Sequence, residues 1–173
     1  MAEMLNVDEV LRELDIKENM QAVEFGCGSA DFTIALAKKL RTGKVWALDV
    51  QEEKISALKG KLIIERLTNV GTVVCDLEIL GGSTLSNESQ DIVLIPNVLF
   101  QAENKSVMIE EAKRILKPQG QLLIIDWLKK VPFGPKENLL DYDQVKKIAQ
   151  GLDFSLQKEF AAGDYHYALL FTK

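Results

Sequence analysis

The stretch VEFGCGSADFT, residues 23–33, sets two glycines one residue apart, after an apolar run and before a helical pattern. Such a turn lets a backbone approach a ligand closely, because glycine enters left-handed φ without steric cost. Glu24 stands two residues before Gly26, and Asp31 three residues after Gly28. A pyrophosphate on a helix N-terminus needs free N–H donors and a positive field, and both carboxylates would repel it. The dinucleotide pattern G-x-G-x-x-G fails, because Asp31 stands where the third glycine belongs, and no Lys-Ser or Lys-Thr follows to make a phosphate loop. The turn suits a ligand that lacks phosphate and carries positive charge.

Outward from this turn, apolar runs alternate with amphipathic stretches. Val7, Val10, Leu11 and Leu14 share one helical face, with Asn6 and Glu9 spaced as a capping box. A strand ends near Phe25. Phe32, Ala35, Leu36 and Leu40 mark the next helix, which Gly43 closes. KVWALDV is a second strand, and Ile55, Leu58 and Leu62 continue as helix. VGTVVCD is a third strand, EILGGSTLSNESQ a loop and DIVLI a fourth strand. Met108, Ala112, Ile115 and Leu116 define a helix that stops at KPQG, before a fifth strand, QLLIID. Asp141 and Gln144 form the capping box of a last helix carrying Val145, Ile148 and Ala149, and the tail reads as a hairpin turning at AAGD. Strands alternating with helices predict a parallel sheet covered on both faces, to which the hairpin adds an antiparallel strand. No linker divides the chain, so residues 1–173 are expected to form one domain, the first 20 being a helical leading segment.

The strands end in polar residues. Glu24 is near the exit of the first, and Asp49, Asp76, Asn97 and Asp126 close the second to fifth. In an open α/β sheet, ligands bind outside the carboxyl ends of the strands, where the strand order reverses. A nucleoside bearing a sulfonium and an α-amino group answers the charge of this edge, and Asp49, 25 residues beyond Glu24, is placed to accept from two ribose hydroxyls.

Composition excludes other classes. The net charge of −5 gives no global basic field for nucleic acid. The longest apolar runs, such as residues 122–125, are far too short to span a membrane. The opening MAEMLNVDEV has acids where a secretory leader needs a basic and then an apolar segment, so a cytoplasmic protein is expected. Two cysteines, Cys27 and Cys75, and one histidine, His166, cannot build a Cys/His zinc site; the cysteines read as reduced, half-buried thiols. Lys38, Lys39 and Arg41 read as a solvated helix face.

Taken together, VEFGCGSADFTIALA, VWALDVQ, CDLE, DIVLIPNVLFQ and EEAKRILKPQGQLLIIDW resemble, in order and spacing, a class I S-adenosylmethionine-dependent methyltransferase of the small, minimal-domain, type-11-like form. The resemblance runs from residue 23 to residue 127. It implies a three-layer, doubly wound, Rossmann-like fold: a mostly parallel seven-stranded sheet, its last strand inserted antiparallel beside the fifth. It implies S-adenosyl-L-methionine as cofactor. Glu24, Gly26, Cys27 and Gly28 would form the turn against its methionine part, Asp49 would take the ribose hydroxyls and Val50 would pack on the adenine. Asp76 would accept from the adenine amino group with Leu77 nearby, and Asn97 would sit by the methionine end. Ala30 stands where the family usually has a third glycine. The first helix, residues 6–14, could close over the cofactor.

The acceptor is less legible. IPNVLF lacks the Asn-Pro-Pro-aromatic run of relatives that methylate amino groups of adenine or glutamine, and two cysteines do not serve arsenic chemistry. A small molecule is expected. Phe100 and Gln101 after the fourth strand, and Asp126 and Trp127 at the end of the fifth, are candidate acceptor residues. WLKKVPFGP, stiffened by Pro132 and Pro135, could form a lid. If the last strand is antiparallel, Tyr165 and His166 begin it at the same edge, and His166 could act as a base, its ordinary pKa being about 6.5. Two rival readings stand beside the enzyme: a catalytically silent, methyltransferase-like binding subunit, and a nicotinamide-dependent oxidoreductase, which Asp31 and the missing third glycine disfavour.

Overall fold

The computed structural model describes residues 4–129 and 131–173. Residues 1–3 of the leading segment and Lys130 of the candidate lid lie outside the described residues. In chain order the elements are α1 (Val7–Leu11), β1 (Gln21–Phe25), α2 (Asp31–Lys39), β2 (Lys44–Asp49), α3 (Glu52–Ile64), β3 (Val70–Val74), β4 (Gln90–Pro96), α4 (Lys105–Ile115), β5 (Leu116–Trp127), α5 (Tyr142–Gly151), β6 (Ser155–Ala161) and β7 (His166–Thr172).

The strands form one seven-stranded sheet in the order β3-β2-β1-β4-β5-β7-β6. β3, β2, β1, β4 and β5 pair in parallel, and β7 runs antiparallel between β5 and β6. The strand order therefore reverses between β1 and β4, where two successive crossovers leave in opposite directions and open a crevice at the carboxyl edge. Because β7 is antiparallel, it begins at that same edge, with His166 in register with Trp127.

Side chains alternate across each strand, and the two faces fill separately. On one face Ala22, Val45, Ile92, Leu94, Leu123, Ile125, Ala168 and Leu170 meet Val10, Leu11 and Leu14 around α1 and Phe32, Leu36 and Leu40 around α2. Ile55, Leu58 and Leu62 of α3 extend that side over Ala47. On the other, Val23, Phe25, Val93, Ile95, Leu122, Ile124, Leu169 and Phe171 meet Met108, Ile109, Ala112 and Ile115 of α4 and Val145 and Ala149 of α5. None of the helices is long and apolar enough to cross a membrane, among the described residues.

Some element ends differ from the expectation. Leu116, assigned to a helix by its 3.6-residue spacing, is the first residue of β5 and pairs with Gln90. It is fully buried, and burial demands the same apolar residue in either setting. The next register pair is Ile92 with Gln121, so β4 advances two residues while β5 advances five, and KPQG bulges out of the strand. Gln119 takes φ +65 there, and Lys117 Nζ sits 2.8 Å from Asp91 Oδ1. The first helix stops at Leu11, short of Leu14, although Leu14 is still buried beside α2; the Glu9 amide donates to Asn6 Oδ1 at 3.3 Å. At α5, Gln144 Oε1 accepts from the Asp141 amide at 2.9 Å, completing the capping box with the Asp141 side chain. Lys38, Lys39 and Arg41 each face a surface carboxylate, of Glu65, Asp8 and Glu18. Both cysteines are free thiols.

Candidate active site

The glycine turn is built from β1 and fastened to β2. The Gly26 and Cys27 amides donate to Leu48 O at 2.7 and 3.1 Å, and the Gly28 amide donates to Asp49 Oδ2 at 3.3 Å. The other Asp49 oxygen accepts from the Gln51 amide at 2.9 Å. Gly26, Gly28 and Ala30 all take positive φ, at +71, +42 and +70. A Cβ on Gly26 would lie 2.3 Å from Val98 Cγ2, whereas one on Gly28 would meet nothing closer than Gly26 O at 3.8 Å. The first glycine is thus required by packing against the β4 loop, and the second leaves open room above the turn.

Glu24 is 2% exposed on the α2 side of β1, where it accepts from the Thr33 hydroxyl. Burial pushes its carboxyl up to about 8; the Thr33 hydrogen bonds oppose this, and Asp31 and Asp49 add to it. Cys27 hangs in the same turn, and burial with the Glu24 and Asp49 carboxylates pushes its thiol up to about 12, which leaves it inert as a nucleophile.

These residues open onto a cleft of about 840 Å³ along the carboxyl edge of the sheet. Glu24, Gly26, Cys27, Gly28, Asp49, Val50, Asp76, Leu77 and Asn97 all line it, and so do Trp127 and His166. The strand order lays them out in sequence. Val50, Asp76 and Leu77 follow β2 and β3 at one end, the glycine turn and Asn97 lie at the β1–β4 crevice, and Trp127 and His166 stand at the β5–β7 end. Val50 is 65% exposed, an apolar side chain offered to the cleft mouth. Met4, Leu5 and Val7 close one side, which puts the leading segment against the cleft. Among the described lining residues Glu24, Asp31, Asp49, Asp76 and Glu78 are acidic, and Lys54 is the single lysine or arginine.

Two polar side chains of the cleft lining have unpartnered atoms among the described residues. Asn97, at φ +56, buries Oδ1 without a hydrogen bond, and both ring nitrogens of His166 are buried and unpartnered. Leaving such a group unsatisfied costs about 1–3 kcal/mol, so their presence in a cleft points to a ligand that completes them. Burial lowers the His166 pKa, keeping the imidazole neutral. Its ring lies 4.1 Å from the Trp127 ring, centroid to centroid. Phe133 meets Trp127 at 6.5 Å and Tyr165 at 4.5 Å. A Cβ on Gly134 would fall 2.7 Å from the Trp127 indole, so Gly134 sits close over that ring.

Three of the expected acceptor residues lie outside the lining. Asp126 precedes Trp127, and strand alternation turns it to the α4/α5 side with Ile124 and Leu122. There it accepts from the Phe100 and Trp127 amides at 3.1 and 2.8 Å, and burial raises it to about 6. Asp126 and Phe100 thus tie the β4 loop to β5 and do not meet the cleft. Tyr165 packs on Phe133 instead of facing the cleft. The sequence reading passed over Cys75, Val98, Ala102 and Met108, which do line it; their only sequence signal was position, Cys75 and Val98 just past β3 and β4, Ala102 in the loop before α4 and Met108 on the apolar face of α4.

The loop after β3 is held by a buried carboxylate. Glu111 of α4 accepts from the Gly81 and Ser83 amides at 2.7 and 3.1 Å and pairs with Arg114 Nη2 at 2.7 Å. Burial pushes this carboxyl up, but the hydrogen bonds from Arg114, Ser83 and Gly81 outweigh it and hold the group at about 2.

A family model described as a methyltransferase domain matches residues 16–161. A crystal structure of a SAM-dependent methyltransferase from Aquifex aeolicus superposes with TM-score 0.88 and 25% identity, covering 97% of this chain and 89% of that one. The cyclase SpnF superposes at TM-score 0.84 over 96% of this chain and 79% of its own, at 12% identity, which shows the fold alone. Demethylmenaquinone methyltransferases from Bacillus subtilis and Bacillus cereus are 26% and 28% identical over 140 and 139 residues, 78% of this chain in each case. The matches cover 57% and 56% of those proteins, so the chain spans little more than half their length. The fold is that of class I S-adenosylmethionine-dependent methyltransferases. The chain belongs to the methyltransferase domain family.

Proposed function

We propose that this chain transfers a methyl group from S-adenosylmethionine to a small-molecule acceptor. The observation that carries the reading is the charge of the cleft: five acidic side chains, of which burial holds Glu24 protonated until a cation arrives, against one lysine among the described lining residues, with Glu24 and Asp49 flanking a glycine turn. Such a site repels a pyrophosphate and favours a sulfonium with an α-amino group. When bound, the cofactor supplies an activated methyl group.

In this reading Asp49 takes the ribose hydroxyls, its carboxylate already fixed by Gly28 and Gln51. Val50 covers one face of the adenine, and Asp76 and Leu77 meet its edge. Glu24, Gly26, Cys27 and Gly28 face the methionine part, where the open space above Gly28 admits a close approach. Asn97 Oδ1, unpartnered in its loop, accepts from the α-amino group. Met4, Leu5 and Val7 cover the bound cofactor. The acceptor enters at the β5–β7 end, between Trp127 and the β4 loop. Alignment and exclusion of water supply most of the rate in such a displacement, so a crowded catalytic dyad is not required.

Support for a small, apolar acceptor comes from Pro96, Val98, Met108 and Trp127 on the lining. The names of the Bacillus relatives add a quinone-type ring to the acceptors worth assaying. The test is calorimetric titration with S-adenosylmethionine, S-adenosylhomocysteine and NAD, followed by product formation on a mixed extract. Binding of the first two and not of NAD, with a methylated product, is expected. Binding without any product would favour a silent binding subunit, and NAD binding would overturn the cofactor assignment.

A further inference from the structure

We infer that the β5–β7 end of the cleft receives a planar aromatic molecule bearing a ring hydroxyl, and that His166 takes the proton of that hydroxyl. The inference rests on the methyltransferase reading above and adds the acceptor class and the base.

Four observations converge. His166 is 3% exposed, lines the cleft, and leaves both ring nitrogens without a protein partner. Among the described residues no carboxylate or carbonyl hydrogen-bonds either nitrogen, so the free lone pair of the neutral ring is available to an O–H donor. Its neighbours are rings: Trp127 lies tilted at 4.1 Å, Phe133 stands edge-on to Trp127, and Tyr165 tilts against Phe133. Aromatic rings favour another ring in an offset or edge-to-face arrangement, so a flat acceptor ring suits this cluster. Finally, the charges of the described lining disfavour an anionic acceptor. The one lysine of the described lining, Lys54, starts α3 at the far end, beyond β2. Among the described lining residues no lysine or arginine stands at the Trp127 end to pair with a phosphate or carboxylate.

The step balances as follows. The acceptor O–H bond breaks, its electron pair stays on the oxygen and into the ring, and the proton goes to a His166 nitrogen. The resulting anion forms its new bond to the methyl carbon as that carbon's bond to sulfur breaks, the bonding pair remaining on a now neutral sulfur. His166 returns its proton to water when the cleft opens. No oxidant or reductant is needed.

The test uses the full chain saturated with S-adenosylhomocysteine. 4-Nitrocatechol, whose ionised form has its own visible band, is titrated at a pH where the free probe is neutral. The wild type is expected to hold the probe as its anion. His166→Gln keeps the size of the side chain and an acceptor atom but cannot take a proton. It is expected to bind S-adenosylhomocysteine and the probe within a few-fold of wild type, yet to hold the probe neutral. With S-adenosylmethionine and 1,4-dihydroxynaphthalene, its turnover is expected to fall about 100-fold or more, with KM little changed. A probe bound neutral by the wild type, an anion retained in His166→Gln, or undiminished turnover in that variant would each overturn the inference. So would methylation of benzylamine in preference to the hydroxyarene. If S-adenosylhomocysteine binds normally in these cases, the cofactor reading survives; if it fails to bind the wild type, both readings fall together.

Discussion

The carboxylate of Asp49 accepts a hydrogen bond from the Gly28 amide at 3.3 Å, so the end of β2 is fastened to the glycine turn that follows β1. One side chain both shapes the turn and faces the cleft. Its second oxygen is held by the Gln51 amide at 2.9 Å, so the group is oriented before any ligand arrives. Asp49→Ala is expected to weaken S-adenosylhomocysteine binding by at least about 100-fold, since charge-assisted hydrogen bonds contribute about 1.5–3 kcal/mol each. Titration calorimetry on the folded variant measures this, with circular dichroism to confirm the fold.

Glu24 gives a pH signature. Its folded pKa, about 8, lies above the ordinary 4.5, chiefly through burial. Between those values the folded chain holds a proton that the unfolded chain has lost, so stability falls as pH rises from 4.5 and levels off above about 8. The slope from this group is at most about 1.4 kcal/mol per pH unit. Urea unfolding of the ligand-free protein across that window is expected to show the decline, and Glu24→Gln to flatten it. Within the same window, binding of a cationic ligand is expected to release a proton, detectable as buffer-dependent heat in wild type and not in Glu24→Gln.

Gly26 predicts a steric coupling between loops. Gly26→Ala places a Cβ 2.3 Å from Val98 Cγ2 at φ +71. The overlap and the left-handed backbone together are expected to cost about 2–4 kcal/mol. Adding Val98→Ala removes the overlap but not the backbone strain, so the double variant is expected to recover part of the lost stability. Thermal melts of the two single variants and the double variant form the cycle.

Glu111 predicts acid resistance and loop order. Its folded pKa of about 2 lies below the ordinary 4.5. The stability it contributes is therefore present above 4.5 and is lost as pH falls from there toward 2. Glu111→Ala removes the carboxylate shared by Arg114 and two loop amides, leaving Arg114 with Asn87 Oδ1 and Ser83 Oγ alone, and is expected to cost about 3–5 kcal/mol at pH 7. It is also expected to speed amide exchange at Gly81 and Ser83, read by hydrogen exchange.

Much of this arrangement was legible in the chain. The alternation of strands and helices, the terminal hairpin and the polar residue at each strand exit follow from periodicity and turn chemistry. These gave the sheet and the cleft edge, because both depend on local pattern. Residues that depend on the face of a strand were harder. Asp126 and Trp127 are adjacent and both polar-tipped, and only the register of β5 with β7 decides that Trp127 meets the cleft while Asp126 braces the Phe100 amide. Leu116 was misplaced because a fully buried leucine looks alike in the last turn of a helix and the first pair of a strand. Val98 carried no signal beyond its place just after β4: its part in the site comes from contact with Gly26, 72 residues away in sequence.

The central claim is that one acid-lined cleft holds a cationic nucleoside in an order set by the strands. A crystal structure of the chain with S-adenosylhomocysteine tests it. The account predicts the ribose hydroxyls on Asp49, the adenine over Val50, the amino acid end between the glycine turn and Asn97, and the sulfur facing Trp127 and His166. A ligand bound elsewhere, or one whose ribose leaves Asp49 untouched, would contradict it.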